Sequence, residues 1–310
     1  MDKKRIWMDC DPGIDDAAAI FCAAGSDALK ILGISTVAGN VSLEKTTRNA
    51  LRLTEYMGRS IPVYTGADRP WSGKAVHAAH VHGADGLGDI YDAQPKEKPK
   101  AEKAWSALSR AFQEQEEMEI LALGPLTNIA TAIAADPSLK RKIRRLILMG
   151  GAVEGGNATP CAEFNIYADP EAAEAVFQSG IPIVMFGLDV TSKAFVLPEE
   201  LDSLLSEKRT PITEFFADTV RTLFRWYEAE DHRGASLHDV CPVLYLTHPE
   251  IFTLEEAGVF VETKGPITRG KTVCDLQSDF HFEDRHALVC MDVDRNAFVR
   301  HLFDALKNLM

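Results

Sequence analysis

The chain has no long apolar run. Stretches such as Ile181 to Leu188 are far too short to cross a bilayer, which argues against a membrane-spanning protein. It also has no excess of positive charge. There are 33 Lys and Arg against 46 Asp and Glu, a formal net charge of −13. That balance argues against a nucleic-acid backbone or an anionic membrane as partner, and leaves a small neutral substrate open. The opening Met1-Asp2-Lys3-Lys4-Arg5 has no apolar stretch followed by a small-residue cleavage site, so no secretory signal and a cytoplasmic location are expected. Cysteine is sparse: six residues, at 10, 22, 161, 241, 274 and 290, with no CxxC pair. Most lie in apolar settings and are expected to be reduced and buried. No internal repeat or low-complexity segment occurs.

The 310 residues, 46% hydrophobic and 25% charged, suit a soluble globular enzyme with a large core. Short segments, apolar on both faces and bounded by Gly, Pro or Asp, read as buried parallel strands: 5–9, 31–37, 62–64, 119–122, 145–149 and 182–186. Helical patterns lie between them at 43–57, 104–112, 127–135 and 171–178. This alternation predicts an α/β fold, with an open, mostly parallel central sheet flanked by helices. After 198 the pattern changes. Helices are expected at 198–206, 212–230 and from about 240, then a β-hairpin at 257–275 turning at or near Gly270-Lys271, a strand at 287–291 and a final helix from Arg295. No linker-like stretch supports independent folding there, so residues 1–310 are read as a single domain.

Ligands of such sheets bind beyond the carboxyl ends of the strands. Four aspartates crowd that end of the first strand, in Asp9-Cys10-Asp11-Pro12-Gly13-Ile14-Asp15-Asp16. Packed carboxylates raise one another's pKa unless a cation is present, and oxygen-rich clusters favour Mg²⁺ or Ca²⁺. The bland alternative is that Asp15 and Asp16 merely open a helix, where the dipole favours acids. Asp9 is expected to point to the other face, as a structural carboxylate. Other strand ends carry Gly39-Asn40, Leu123-Gly124-Pro125-Leu126-Thr127-Asn128 and Met149-Gly150-Gly151, small or polar residues that suggest one shared pocket. His77 and His80 lack the partners of a zinc site. Aromatics of the 212–230 pattern, Trp226 and Tyr227 among them, read as core at helical spacing.

Asp9 to Asp16 resembles the DxDPGxDD signature of the inosine–uridine-preferring nucleoside hydrolases. The similarity extends through Gly39-Asn40, His82-Gly83, the 123–128 segment, Met149-Gly150-Gly151, Gly156 to Asn165 and Leu237-His238-Asp239. The resemblance implies hydrolysis of the N-glycosidic bond of ribonucleosides to ribose and base, with bound Ca²⁺. It implies Asp11, Asp16, Asp239 and the backbone carbonyl of Thr127 as metal ligands, with Asp11 also taking a proton from the attacking water. Asp15 would bind the ribose 2′-hydroxyl. Asn157, Glu163 and Asn165 would hold the other hydroxyls with Asn40 nearby, and Met149 and Phe164 would line the sugar. His82 and His238 would face the base, His238 as the group best placed to help it leave. The resemblance further implies a homo-oligomer, a dimer or tetramer. Chemistry asks for the same residue types: breaking a ribosyl C–N bond builds positive charge on the sugar, which carboxylates stabilise. Two other classes carry a similar acidic strand end or pocket. A Mg²⁺-dependent phosphohydrolase of the haloacid-dehalogenase type would want a basic phosphate cradle, and Pro12-Gly13 after Asp11 does not match it. A non-catalytic nucleoside or sugar binder has little need of a metal beside a carboxylate base.

Overall fold

The computed structural model describes residues 3–90, 93–115, 118–229, 234–276 and 286–309. Six short strands follow the expected alternation: β1 (Lys4–Cys10), β2 (Leu29–Thr36), β3 (Val63–Thr65), β4 (Glu119–Ala122), β5 (Leu146–Met149) and β6 (Ile183–Phe186). All six pair in parallel, and their inner stretches are buried on both faces, the condition under which apolar runs without alternation are stable as strands. A two-residue pair, β7 (Phe195–Val196) with β8 (Ala235–Ser236), stands apart.

The C-terminal strands return to the same sheet. β9 (Phe252–Val261) and β10 (Thr272–Asp275) form the antiparallel hairpin, and β11 (Ala287–Val293) pairs antiparallel with β9 and parallel with β6. The resulting order is β10-β9-β11-β6-β5-β4-β1-β2-β3. The hairpin turn is longer than expected. Residues 262–271 connect its strands, and Gly270, at φ +84°, lies two residues before β10 instead of forming the apex. The change of pattern near 198 is therefore not a break in the sheet, since β11 sits beside β6.

Two apolar layers cover the sheet. One holds the helices Ile14–Gly25, Pro211–Ala229 and Arg295–Asn308 against the even-numbered side chains of β1, Ile6, Met8 and Cys10. The other holds Ala104–Glu114, Thr127–Ala135 and Pro170–Phe177 against Trp7. The helix expected at 212–230 runs to Ala229, and Glu230 lies outside the described residues. Chain order reverses between β1 and β4, so their carboxyl ends open a crevice there, the place where such sheets take ligands.

Candidate active site

The crevice is floored by carboxylates. Asp16, in the first turn of helix Ile14–Gly25, accepts the Gly13 N–H at 2.9 Å and the Asp11 N–H at 3.3 Å, which folds the 11–13 loop around it. Asn40, just past β2, clamps the pair. Its N–H donates to Asp11 Oδ2 at 2.7 Å, and its Nδ2 donates to Asp16 Oδ2 at 3.1 Å. Asp11 fits only because two strand-end residues lack side chains. A Cβ on Gly39 would lie 2.0 Å from Asp11 Oδ2, and one on Gly124 would lie 2.6 Å from Asp11 Oδ1. Asp239, immediately before helix Val240–Thr247, brings a carboxylate from the far end of the chain. One oxygen each of Asp15, Asp16 and Asp239 lies within 4.8 Å of the others.

Burial pushes all four pKa values up. Asp11 and Asp239 rise well above the ordinary range, first through desolvation and then through neighbouring aspartates. Asp16 is pushed to about 7 by burial and by Asp15, and Asp15 itself is raised by burial despite His238 nearby. None of the four forms an ion pair with Lys or Arg among the described residues. Asp11 Oδ1 and Asp239 Oδ1 are buried without any hydrogen-bond partner. Unpartnered buried carboxylate oxygens are costly, and a hard divalent cation is the partner their chemistry suits. The residues present therefore fit a metal ion of that class. Asp9 faces the other way as expected. It accepts from Ser35 Oγ and from Asn128 Nδ2 at 2.8 Å, and burial raises its pKa to about 7. A second group with ligand atoms, His248, Glu250 and His301, lies at the end of helix Val240–Thr247. Its two imidazoles stack face to face at 3.6 Å, so their in-plane lone pairs run alongside each other instead of converging.

Above the acidic floor one pocket gathers Asp15, Asn40, His82, Met149, Asn157, Glu163, Phe164, Asn165, His238 and Asp239. Asp11 and Asp16 lie beneath it, fully buried. Thr127 does not line it. That residue opens helix Thr127–Ala135, gives its hydroxyl to Asp169 Oδ2 at 2.7 Å and borders a separate cleft with Asp68 and Trp71. The residue of that segment that lines the pocket is Leu123, just past β4. A helix-opening carbonyl points along the helix, away from the crevice, whereas a strand-end carbonyl is free to face it.

Hydrogen bonds hold the walls. Glu163 caps helix Phe164–Ala168: Oε1 accepts the Asn165 N–H at 2.9 Å, and Oε2 accepts those of Gly151 at 2.8 Å and Ile166 at 3.1 Å. Burial still raises its pKa to about 7, against those three donors. Asn165 Nδ2 donates to Leu123 O at 2.9 Å and to Met149 O at 3.2 Å, and Asn157 Oδ1 accepts the Phe164 N–H at 2.8 Å. At the opposite end His238 is held on both nitrogens, by Thr191 Oγ1 at 2.8 Å and by Tyr227 Oη at 3.1 Å. Burial lowers its pKa, and the Asp15 charge opposes this.

A family model for inosine–uridine preferring nucleoside hydrolases matches residues 6–300. The chain belongs to that family. A pyrimidine-specific ribonucleoside hydrolase RihA of Escherichia coli O1:K1 is 42% identical over 306 residues, covering 97% of this chain and 98% of the relative. Among solved structures, a plant nucleoside hydrolase superposes with a TM-score of 0.93 at 33% identity, covering 99% of each chain. A purine-preferring ribonucleoside hydrolase from Gardnerella vaginalis does so with 0.92 at 31%, again over 99% of each. The protein is thus a metal-dependent hydrolase of the ribonucleoside N-glycosidic bond, with a small-molecule substrate.

For a nucleoside hydrolase, the sequence reading missed part of the wall. Leu223, Trp226 and Tyr227 of helix Pro211–Ala229 line the pocket with His80 and Val81, so assigning Trp226 and Tyr227 to the core alone is corrected. Helical spacing marks an apolar face but not which neighbour covers it, and here the face turns from core at Phe215 and Phe216 to pocket at Trp226. His80, given no role, also reaches the rim, whereas His77 bonds Gly39 O through Nδ1 at 2.8 Å. Two thiols expected to be buried, Cys161 and Cys274, are partly exposed, Cys274 because it lies on the edge strand β10.

Proposed function

We propose that this hydrolase is calcium-dependent and prefers pyrimidine ribonucleosides, with Asp11 as general base. The carrying observation is the acidic floor, with buried oxygens of Asp11 and Asp239 that have no protein partner. Asp11, Asp16 and Asp239 are the proposed protein side-chain ligands, and we assign the backbone carbonyl to Leu123 in place of Thr127. Bound there, calcium would neutralise the clustered charge and acidify a water held against Asp11.

The chain's own groups account for the remainder. Asp11 accepts a proton from the attacking water, its carboxylate held in position by the Asn40 N–H. The ribose lies on Asp15, Asn157 and Asn165, with Met149 and Phe164 against its apolar face. Asn165 Oδ1 accepts no hydrogen bond from the protein among the described residues, which leaves it for a hydroxyl. Glu163 offers roughly four acceptor sites and spends three on backbone N–H groups, leaving one for a hydroxyl. Asn40 acts mainly on Asp11 and Asp16, holding them in place. As positive charge builds on the sugar, the carboxylates below stabilise it. His238, whose Nε2 bonds Tyr227 Oη, would supply the leaving base with a proton through that hydroxyl.

Pyrimidine preference is supported by the 42% relatives and by the aromatic and aliphatic closure of the base end by Leu223, Trp226, Tyr227 and Val81. We further propose a single domain, a dimer or tetramer, and a cytoplasmic site of action. No helix among the described residues is long and apolar enough to cross a membrane. The test is a turnover panel of uridine, cytidine, inosine, adenosine and guanosine. Uridine or cytidine should exceed the purine nucleosides in kcat/KM by at least about tenfold, roughly 1.4 kcal/mol of transition-state discrimination. Equal or better cleavage of inosine contradicts the preference.

A further inference from the structure

His82 sits at the N-terminus of the helix that carries Asp15 and Asp16. The N–H of Ile14, that helix's first residue, donates to His82 Nδ1 at 3.2 Å. This amide is one of the helix-end donors without an intrahelical acceptor, and the imidazole satisfies it. The ring is packed tightly against the turn: a Cβ on Gly13 would lie 2.8 Å from His82 Nδ1. A nitrogen that accepts an N–H carries a lone pair, so the imidazole proton must reside on Nε2. Nε2 has no protein partner among the described residues, and the ring lines the substrate pocket.

We propose that His82 is a fixed, uncharged hydrogen-bond donor, locked as its Nε2–H tautomer by the Ile14 amide. We propose further that it serves the acceptor atom beside the glycosidic nitrogen of the leaving base, O2 of a pyrimidine. This rests on the function proposed above. The chemistry needs no proton from His82. As the C1′–N1 bond breaks, its electron pair passes to N1 and is shared with O2. Water oxygen bonds to C1′, and the water proton goes to Asp11. A preplaced N–H facing O2 stabilises the charge arriving there without reorganising.

The surroundings keep His82 neutral. Burial lowers its pKa to about 4, and His80 on its own short helix adds to the effect. His238 lies across the pocket, close enough for His82 to bear on its titration. The positive end of the helix also disfavours imidazolium. Asp15 and Asp16 follow in the same turn. The two pocket histidines therefore divide the work: His82 donates a hydrogen bond, and His238 handles the proton.

The test uses the full calcium-loaded chain with ¹⁵N-labelled histidine, the His82 signals being assigned by their loss in His82→Phe. Long-range ¹H–¹⁵N correlations should show the Nε2–H tautomer, unchanged from pH 5.5 to 8. An Nδ1–H tautomer, or protonation within that range, overturns the proposal. In kinetics, His82→Phe should lower kcat/KM for uridine by about 10²–10³-fold, the loss typical of one preorganised donor. It should lower cleavage of 4-nitrophenyl riboside, whose phenolate leaves unaided, by less than about tenfold. His82→Gln, which keeps a neutral donor near the Nε2 position, should recover uridine cleavage to within about tenfold of wild type. Equal losses on both substrates, or a Gln variant no better than Phe, would refute the donor role. Failure of the wild type to cleave any nucleoside would strike the functional reading itself, while the tautomer measurement would still stand on its own.

Discussion

Replacing Gly39 with alanine puts one methyl group against the proposed general base. The backbone at Gly39 is not in the left-handed region, so alanine meets no conformational penalty and the effect is steric. The new Cβ would lie 2.0 Å from Asp11 Oδ2 and 2.7 Å from Asp11 Cγ. Ordinary non-bonded contacts begin above about 3 Å, so the carboxylate must retreat by about 1 Å. In doing so it gives up the 2.7 Å bond from the Asn40 N–H. A misplacement of that size costs on the order of 10² in rate, about 2.7 kcal/mol of transition-state stabilisation. Overpacking a tight site also costs about 1–3 kcal/mol in fold stability. We predict that Gly39→Ala folds, loses about 100-fold in kcat/KM for uridine, and binds calcium more weakly. Steady-state kinetics and a calorimetric calcium titration on the same preparation would check this. A variant with wild-type turnover and calcium affinity would refute the placement of Asp11 at the reacting centre.

Other consequences follow from the same geometry. Wild-type enzyme should cleave uridine at least about 10³-fold faster than 2′-deoxyuridine, because a site built to bond a hydroxyl rejects an analogue without it. Asp15→Ala should narrow that ratio, and an unchanged ratio would remove Asp15 from the 2′-hydroxyl. Glu163→Gln turns an amide NH₂ toward backbone N–H donors and should cost about 1–3 kcal/mol in urea unfolding. Because burial raises the Glu163 pKa from 4.5 to about 7, its contribution to stability is full below the unfolded value and lost as pH rises through about 7. Wild-type stability should therefore fall more between pH 5.5 and 8 than that of Glu163→Gln, and identical slopes would contradict the shift.

The acidic cluster and the Gly39-Asn40 and Met149 positions could be read from the sequence because they follow strands, whereas Glu163, His82 and His238 came only through the family motifs. Asp11, Asp15 and Asp16 leave β1 together, and the glycines at 39 and 124 mark where its carboxylate needs room. Asp239 became part of the same cluster only through the family motif, since nothing local in Leu237-His238-Asp239 points to a partner more than 200 residues earlier. Tyr227 and Trp226 were hidden for the opposite reason. Their helix is amphipathic toward the core along most of its length, and one-dimensional periodicity cannot show where that face leaves the core for the pocket. The pocket position of Leu123, and not Thr127, has a similar cause. The two flank a Gly-Pro turn, and only the three-dimensional path shows which carbonyl stays at the strand end. The hairpin was recognisable from its strands, but the ten-residue connection 262–271 holds two turn signals, Gly265-Pro266 near its middle and Gly270-Lys271 at its end, and the apex was assigned to the second.

The central claim is that clustered carboxylates from both ends of the chain hold one calcium ion that the reaction requires. The direct measurement is a calcium titration of chelated, dialysed enzyme, following bound metal and uridine cleavage together. The account predicts no turnover before addition, recovery that tracks one equivalent of bound calcium, and neither binding nor recovery in Asp16→Asn paired with Asp239→Asn. Full turnover of the stripped enzyme, or calcium binding undiminished in that double variant, would contradict it.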